Sequence, residues 1–199
     1  MTIEIGTEKD FELVYADMLR QFPPNEMKSK EAFLELLRGG HYDLGLVRDN
    51  TRQVLAYFMC YRIESFKFGL LDHFAVLKEF QNKGIGRQAL DAIVEYYKNL
   101  KGLILEVERP NILEPDTIRR VRFYKRAGAY MLDIRYILPG NPSFIPMELM
   151  FLNCGKSVGR IDILLIKSAL KVVFDTVHAG FANAKDVWAV LKRSWSGAM

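Results

Sequence analysis

QNKGIGRQAL, residues 81–90, joins the apolar run FGLLDHFAVL to the amphipathic run RQALDAIVEYY. A chain that leaves a strand, turns tightly and enters a helix exposes the first N–H groups of that helix, which have no partner within it. Gly84 and Gly86 let the backbone curl without a Cβ and let a ligand come close to those donors. With the positive end of the helix dipole behind them, the donors form an anion nest, and Lys83 and Arg87 add full charges at its rim. The chemistry this asks for is pyrophosphate binding. A Walker loop would need G-x-x-x-x-G-K-[ST], which is absent; a dinucleotide fingerprint would need a third glycine where Ala89 stands, and an N-terminal βαβ start. On the loop alone, a plain helix entry with two turn glycines and surface charges stays open.

Working outward, the periodicity predicts alternating elements. TIEI reads as a short strand. EKDFELVYADMLRQF reads as a helix burying Phe11, Val14, Tyr15, Met18 and Leu19, and Pro23 and Pro24 end it. SKEAFLELLRGG is a second helix, with Ser29 as N-cap and Gly39 and Gly40 as its stop. Three strands follow as a meander: YDLGLVRD, QVLAYFMCYRIE and FGLLDHFAVL. The helix from Gly86 to about Asn99 buries Ile85, Ala89, Leu90, Ile93, Val94 and Tyr97. GLILEVER is a strand, DTIRRVRFYKRAGA a helix closed by Gly128, and YMLDIRYIL and PMELMFLN the last strands. After NCGKSVG the pattern shifts. Ile163, Ile166, Leu170, Val173 and Val177 mark an apolar helix face, and a second helix follows from about Asn183 to Trp195. Residues 1–154 therefore form the main domain, and residues 155–199 a C-terminal helical extension, whose apolar stripe must pack on the body or on a second subunit, leaving a homodimer open.

The 199 residues suit one main fold with an appendage, and 28 Lys+Arg against 24 Asp+Glu leave a formal charge of +4. That excess permits a polyanionic ligand without implying nucleic acid, and aromatics do not interleave the basic residues as in an RNA-binding surface. Cys60 and Cys154 stand far apart, which argues for neither a zinc site nor a disulfide framework and favours a reducing compartment. The N-terminus has no signal-peptide pattern, and no run reaches the roughly 20 apolar residues of a membrane span. A cytoplasmic protein without membrane or nucleic-acid partners is expected.

VLKEFQNKGIGRQAL resembles the Q/R-x-x-G-x-G/A acyl-CoA signature of the GNAT acyltransferase superfamily, here Gln81-Asn82-Lys83-Gly84-Ile85-Gly86. RFYKRAGA resembles the family's F-Y-x-x-x-G-F segment, with Ala129 in place of the bulky aromatic. The order of elements before residue 154 matches as well. The resemblance implies an α/β (α+β) fold, a mixed, mostly antiparallel central sheet flanked by helices. It also implies an N-acetyltransferase that moves acetyl from acetyl-CoA to an amine by direct attack in a ternary complex, without a metal. Lys83, Gly84, Ile85, Gly86 and Arg87 would then bind the coenzyme A pyrophosphate, with Gln81 and Asn82 completing the loop. Phe74, Ala75 and Val76 would pair with the pantetheine arm as an added strand does. Lys125 and Arg126 would lie on the cofactor side, and Tyr124 would protonate the leaving thiolate. A non-catalytic acyl-CoA-binding module with a protein-interaction tail is the alternative.

The attacking amine must lose a proton, and the candidate bases are Asp72, Glu106 and Glu108, the last two on one strand face. Together they suit a cationic acceptor. His73 would point away from Asp72 unless a bulge intervenes. His41 and His178 read as a loop residue and a helix-terminal residue, without metal-ligand spacing. Thr117 and Arg120 replace the asparagine and alanine common seven and four residues before the tyrosine, and Arg119, Arg120, Arg122, Lys125 and Arg126 make the helix basic.

Overall fold

A computed structural model describes residues 1–155 and 159–196, so the joint that the composition shift marks runs partly outside the described residues. The strands are β1 (Thr2–Ile5), β2 (Tyr42–Arg48), β3 (Val54–Ile63), β4 (Phe68–Val76), β5 (Gly102–Glu108), β6 (Tyr130–Met131), β7 (Tyr136–Leu138) and β8 (Ile145–Asn153). The helices are α1 (Glu8–Gln21), α2 (Lys30–Arg38), α3 (Ile85–Tyr96), α4 (Pro115–Arg126), α5 (Ile163–Asp175) and α6 (Ala184–Ser196). The strands form one sheet in the order β1-β2-β3-β4-β5-β8-β6, with β7 also pairing β8. Only β4 and β5 run parallel, because the α3 crossover joins them; the other pairs are antiparallel.

Local chemistry sets the helix starts, at Ser29 as the sequence suggests. Thr7 caps α1 in a reciprocal box, its N–H donating to Asp10 Oδ2 at 2.8 Å while its Oγ1 accepts from the Asp10 N–H at 3.3 Å. Ser29 Oγ accepts from the Ala32 N–H at 3.2 Å and starts α2. Two expectations need correction. Leu19 is 54% exposed, and the inward place on α1 goes to Asp17, which Tyr57 satisfies by donating from its hydroxyl at 3.0 Å. The stretch 130–138 is two strands, because the Ile134 N–H bonds Leu132 O two residues back at 2.9 Å and that tight turn breaks the ladder.

The sheet separates two apolar layers. Ala89, Leu90 and Ile93 of α3 and Val121 of α4 pack on one face with Leu71, Leu103, Leu105 and Val107. The other face carries Phe11, Val14 and Met18 of α1 and Phe33 of α2. Ile166, Leu170, Val173 and Phe174 of α5 and Val187 and Leu191 of α6 belong to this second layer, all at most 5% exposed. The extension thus shares a core with the body. Among the described residues no helix is long and apolar enough to cross a membrane.

Candidate active site

β4 and β5 pair only from Phe68↔Gly102 to Leu71↔Leu105, although β4 continues to Val76 and β5 to Glu108. The cause sits one residue on. Between Met59↔His73 and Cys60↔Leu71 the β3–β4 register shifts, which leaves Asp72 as an extra, bulged residue. A bulge bends its strand and adds twist, so β4 turns away from β5 where their pairing stops. The Leu77 N–H donates to Leu55 O at 3.0 Å, so by antiparallel alternation Ala75 is directed to β3, and Phe74 and Val76 turn their backbone groups into the gap.

The loop beyond β4 is built as an anion nest. Asn82 and Gly84 both take positive φ, 60° and 75°, and Gly84 is the residue before α3 with no side chain capping it. Among the described residues nothing accepts from the N–H groups of Ile85, Gly86 or Arg87. At Gly86 a Cβ would meet Phe123 and Val76 only at 3.6 Å, ordinary contact. The fold therefore does not demand glycine there. Lys83 is exposed, its ammonium 5.8 Å from the Phe80 ring centroid. Gln81 braces the loop, its Nε2 donating to Val76 O and to Gln21 Oε1, each at 3.0 Å. Arg87 is engaged sideways, holding Asp91 at 2.9 Å and donating to the carbonyl of Arg126 at 2.8 Å, so its guanidinium ties α3 to α4 while its backbone N–H stays at the nest.

α4 brings Tyr124 to the same end of the sheet. Phe123 stacks on Phe74 with ring centroids 6.4 Å apart, and Tyr124 meets Phe123 edge-on at 5.1 Å. The Tyr124 hydroxyl bonds to no described residue, and burial pushes its pKa up to about 12 against the opposing Arg120 charge, so it keeps its proton at any working pH. Arg120, one turn before it, pairs with Glu108. Lys125 is exposed on the outer side.

On the opposite face of the sheet a buried polar cluster closes the gap. The bulge puts Asp72 and His73 on this same face. Asp72 Oδ2 accepts from Lys28 Nζ at 2.8 Å and from the Tyr42 hydroxyl, with His73 Nδ1 at 3.3 Å. Burial alone would raise the Asp72 pKa, but the charges of Lys28 and His73 hold it well below the usual carboxylate range. Lys28 is itself wedged between the rings of Phe33 and Phe181, 5.3 and 5.5 Å from their centroids. Glu106 accepts from the Tyr136 hydroxyl and lies 2.9 Å from His178 Nε2. Glu26 ends the one-turn segment Pro24–Glu26 between α1 and α2, which the Asn141 N–H pins by donating to Asn25 O at 3.0 Å. Its carboxyl has no partner among the described residues. Burial first, then repulsion from Glu106 and Asp72, raises its pKa to about 7 despite Arg120.

The structure therefore gathers Phe74, Val76, the glycine loop and Tyr124 at one gap, with Asp72 and Glu106 beneath it. The sequence does not reveal that Asp72 and Glu106 are already engaged. Glu26 is passed over because FPPNE reads only as a helix break. His178 does follow a helix end, but it is fully buried on Glu106 instead of lying at a surface terminus. No local signal finds Lys28, Tyr42 or Tyr136, whose roles arise from contacts 30 or more residues away. Among the described residues no group of three or more His, Cys, Asp or Glu is placed to hold a metal ion.

A profile of the Acetyltransferase (GNAT) family matches residues 11–129. The protein YjbC of Bacillus subtilis (strain 168) is 32% identical over 167 residues, which is 82% of this chain and 80% of that one. Among solved structures, a GNAT-family protein from Bacteroides thetaiotaomicron superposes with a TM-score of 0.74 at 24% identity, covering 89% of this chain and 98% of its own. The spermidine N-acetyltransferase of Vibrio cholerae, solved with CoA and spermine, gives 0.60 at 14% identity, covering 76% and 94%. The gap between β4 and β5, the glycine loop at its mouth and these matches together place the chain in the GNAT acetyltransferase family, as an acyltransferase.

Proposed function

We propose that the chain transfers acetyl from acetyl-CoA directly to a primary amine that enters over Asp72, Glu106 and Glu26, with Glu26 as general base and Tyr124 as general acid. The observation that carries the reading is the division of labour among the carboxylates. Asp72 is neutralised by Lys28 and Tyr42, Glu106 is engaged by Tyr136 and His178, and Glu108 is paired with Arg120. Among the described residues Glu26 alone of the four has no partner, and its pKa of about 7 suits a base that must be half ionised near neutral pH.

The N–H groups of Ile85, Gly86 and Arg87 receive the pyrophosphate, and the open backbone of Phe74 and Val76 pairs with the pantetheine arm as a strand would. Lys83 and Lys125 supply charge at the rim, and Gln81, Asn82 and Ala75 hold the loop and strand in shape. The amine nitrogen attacks the thioester carbon and its proton passes to Glu26. The developing oxyanion meets a strand N–H at the gap, on Phe74 or Val76. As the C–S bond breaks, sulfur takes the Tyr124 proton, which solvent restores. Buried carboxylates favour a cationic amine over a neutral one. The experiment is thiol release from acetyl-CoA against a panel of small amines, polyamines, amino acids and peptide N-termini. Cationic amines should turn over fastest; binding of acetyl-CoA with no turnover for any amine would overturn the catalytic reading.

A further inference from the structure

His178 lies in the turn between α5 and α6, more than twenty residues past the last strand, outside the 11–129 stretch that matches the family. It is nevertheless fully enclosed, as Tyr136 beside it is. Its ring is 0% exposed, set edge-on to Phe174 at 5.2 Å and tilted against Phe181 at 6.3 Å. Nε2 stands 2.9 Å from Glu106 Oε1 and 3.3 Å from the Tyr136 hydroxyl, while Nδ1 is buried with no partner. Because Nε2 faces a carboxylate, it is Nε2 that carries a hydrogen toward Glu106. That hydrogen is donated to Glu106, which also accepts from Tyr136. A carboxylate that takes two buried donors at one oxygen is held in one rotamer.

We propose that His178 is a positioning residue of the acetyl-transfer site, which it reaches from the C-terminal extension to hold Glu106 as a fixed carboxylate beneath the Glu26 base. The extension is on this view part of the catalytic centre. The inference rests on the functional reading above only for the name of the reaction. The charge it fixes is felt by Glu26, whose other charged neighbours are Arg120 on α4 and Asp72 on β4. Asp72 in turn faces Lys28, Tyr42 and His73 as well as His178 itself. Without the His178 donor, the Glu106 carboxylate is free to turn away from Glu26 and its repulsion of Glu26 fades. The base then ionises at lower pH, and the geometry under the acceptor loosens.

Three variants separate this role from packing. His178→Gln keeps an amide N–H where Nε2 stood; His178→Leu removes the donor at similar bulk; His178→Asn stays polar but falls short of Glu106. Glu26 is titrated by carboxyl-carbon NMR in glutamate-labelled protein, and kcat and KM are followed against pH with the best amine. In the Leu and Asn variants the Glu26 midpoint should fall by roughly one pH unit and kcat by at least about tenfold, with KM for acetyl-CoA unchanged, while the Gln variant keeps both near wild type. Asn stands in if the Leu variant does not fold. An unmoved midpoint in the folded Leu or Asn variant overturns the proposal, as does an equal loss in Gln and Leu that follows only their melting temperatures. A midpoint that moves in a protein whose wild type acetylates nothing leaves His178 on Glu106 and removes the acetyl-transfer reading instead.

Discussion

Lys28 Nζ lies 2.8 Å from Asp72 Oδ2 with the two side chains 2% and 5% exposed, so a full ion pair is sealed under the gap between β4 and β5. The pair joins the segment between α1 and α2 to the bulge that opens the gap. Its burial explains why Asp72 is a poor proton acceptor: its charge is already in use, and protonating it would strand Lys28. Removing one partner leaves the other as an uncompensated charge in an apolar setting. Lys28→Met or Asp72→Asn should therefore destabilise the fold by about 3–5 kcal/mol, more than the double variant, in denaturant titrations. The Asp72 contribution is present above the ordinary carboxylate pKa and is lost as pH falls through that range toward the lower folded value. Wild type should accordingly lose stability below about pH 4 faster than Asp72→Asn.

Glu26→Gln separates activity from stability. The variant should lose the acid limb of kcat/KM, whose midpoint in wild type is about 7, and turn over roughly 10²-fold more slowly or worse. The sign of its stability effect is the reverse of that for Asp72. A carboxyl whose folded pKa rises from 4.5 to about 7 favours the fold fully below 4.5, and that advantage disappears as pH climbs through 7. Glutamine keeps the neutral form at every pH. The variant should gain about 3 kcal/mol over wild type at pH 8 relative to pH 4, measured by paired denaturant titrations.

Gly86→Asp should abolish coenzyme A binding in calorimetry while circular dichroism and melting stay close to wild type, because a Cβ fits at 3.6 Å but the carboxylate enters the nest. Gly84→Asp should lose binding too, with an added destabilisation of about 1 kcal/mol for a side chain at φ 75°. Wild-type affinity in both would remove the nest from the site.

Tyr124→Phe should bind coenzyme A as wild type does and lower kcat by ~10²-fold, since the ring keeps its packing on Phe123 and only the proton donor goes. Unchanged turnover would assign the tyrosine to packing alone.

Leu170→Ala, at a fully buried position of α5, should cost about 2–5 kcal/mol in a single unfolding transition, because the extension and the body bury one common layer. A separate low-temperature transition that leaves the body folded would show the extension to be independent.

By itself the sequence determined the elements with strong periodicity, the loop and the family. Glycines at 84 and 86 between a strand and a helix, followed at a fixed distance by RFYKRAGA, are local patterns, and local backbone chemistry suffices to read them. The same holds for Ser29, whose capping partner lies three residues away. Tertiary structure alone decided which carboxylates are free. Asp72 becomes a partner of Lys28 only because a bulge turns it, and that bulge exists in the register between β3 and β4, not in either strand. Glu106 meets a histidine 72 residues away because an apolar stripe carries α5 onto the sheet. Glu26 owes its raised pKa first to burial and then to the charges of Glu106 on β5 and Asp72 on β4, which converge on it only after folding. Side-chain ionisation depends on burial and on neighbours within a few ångströms, and the order of residues along a chain does not specify those distances.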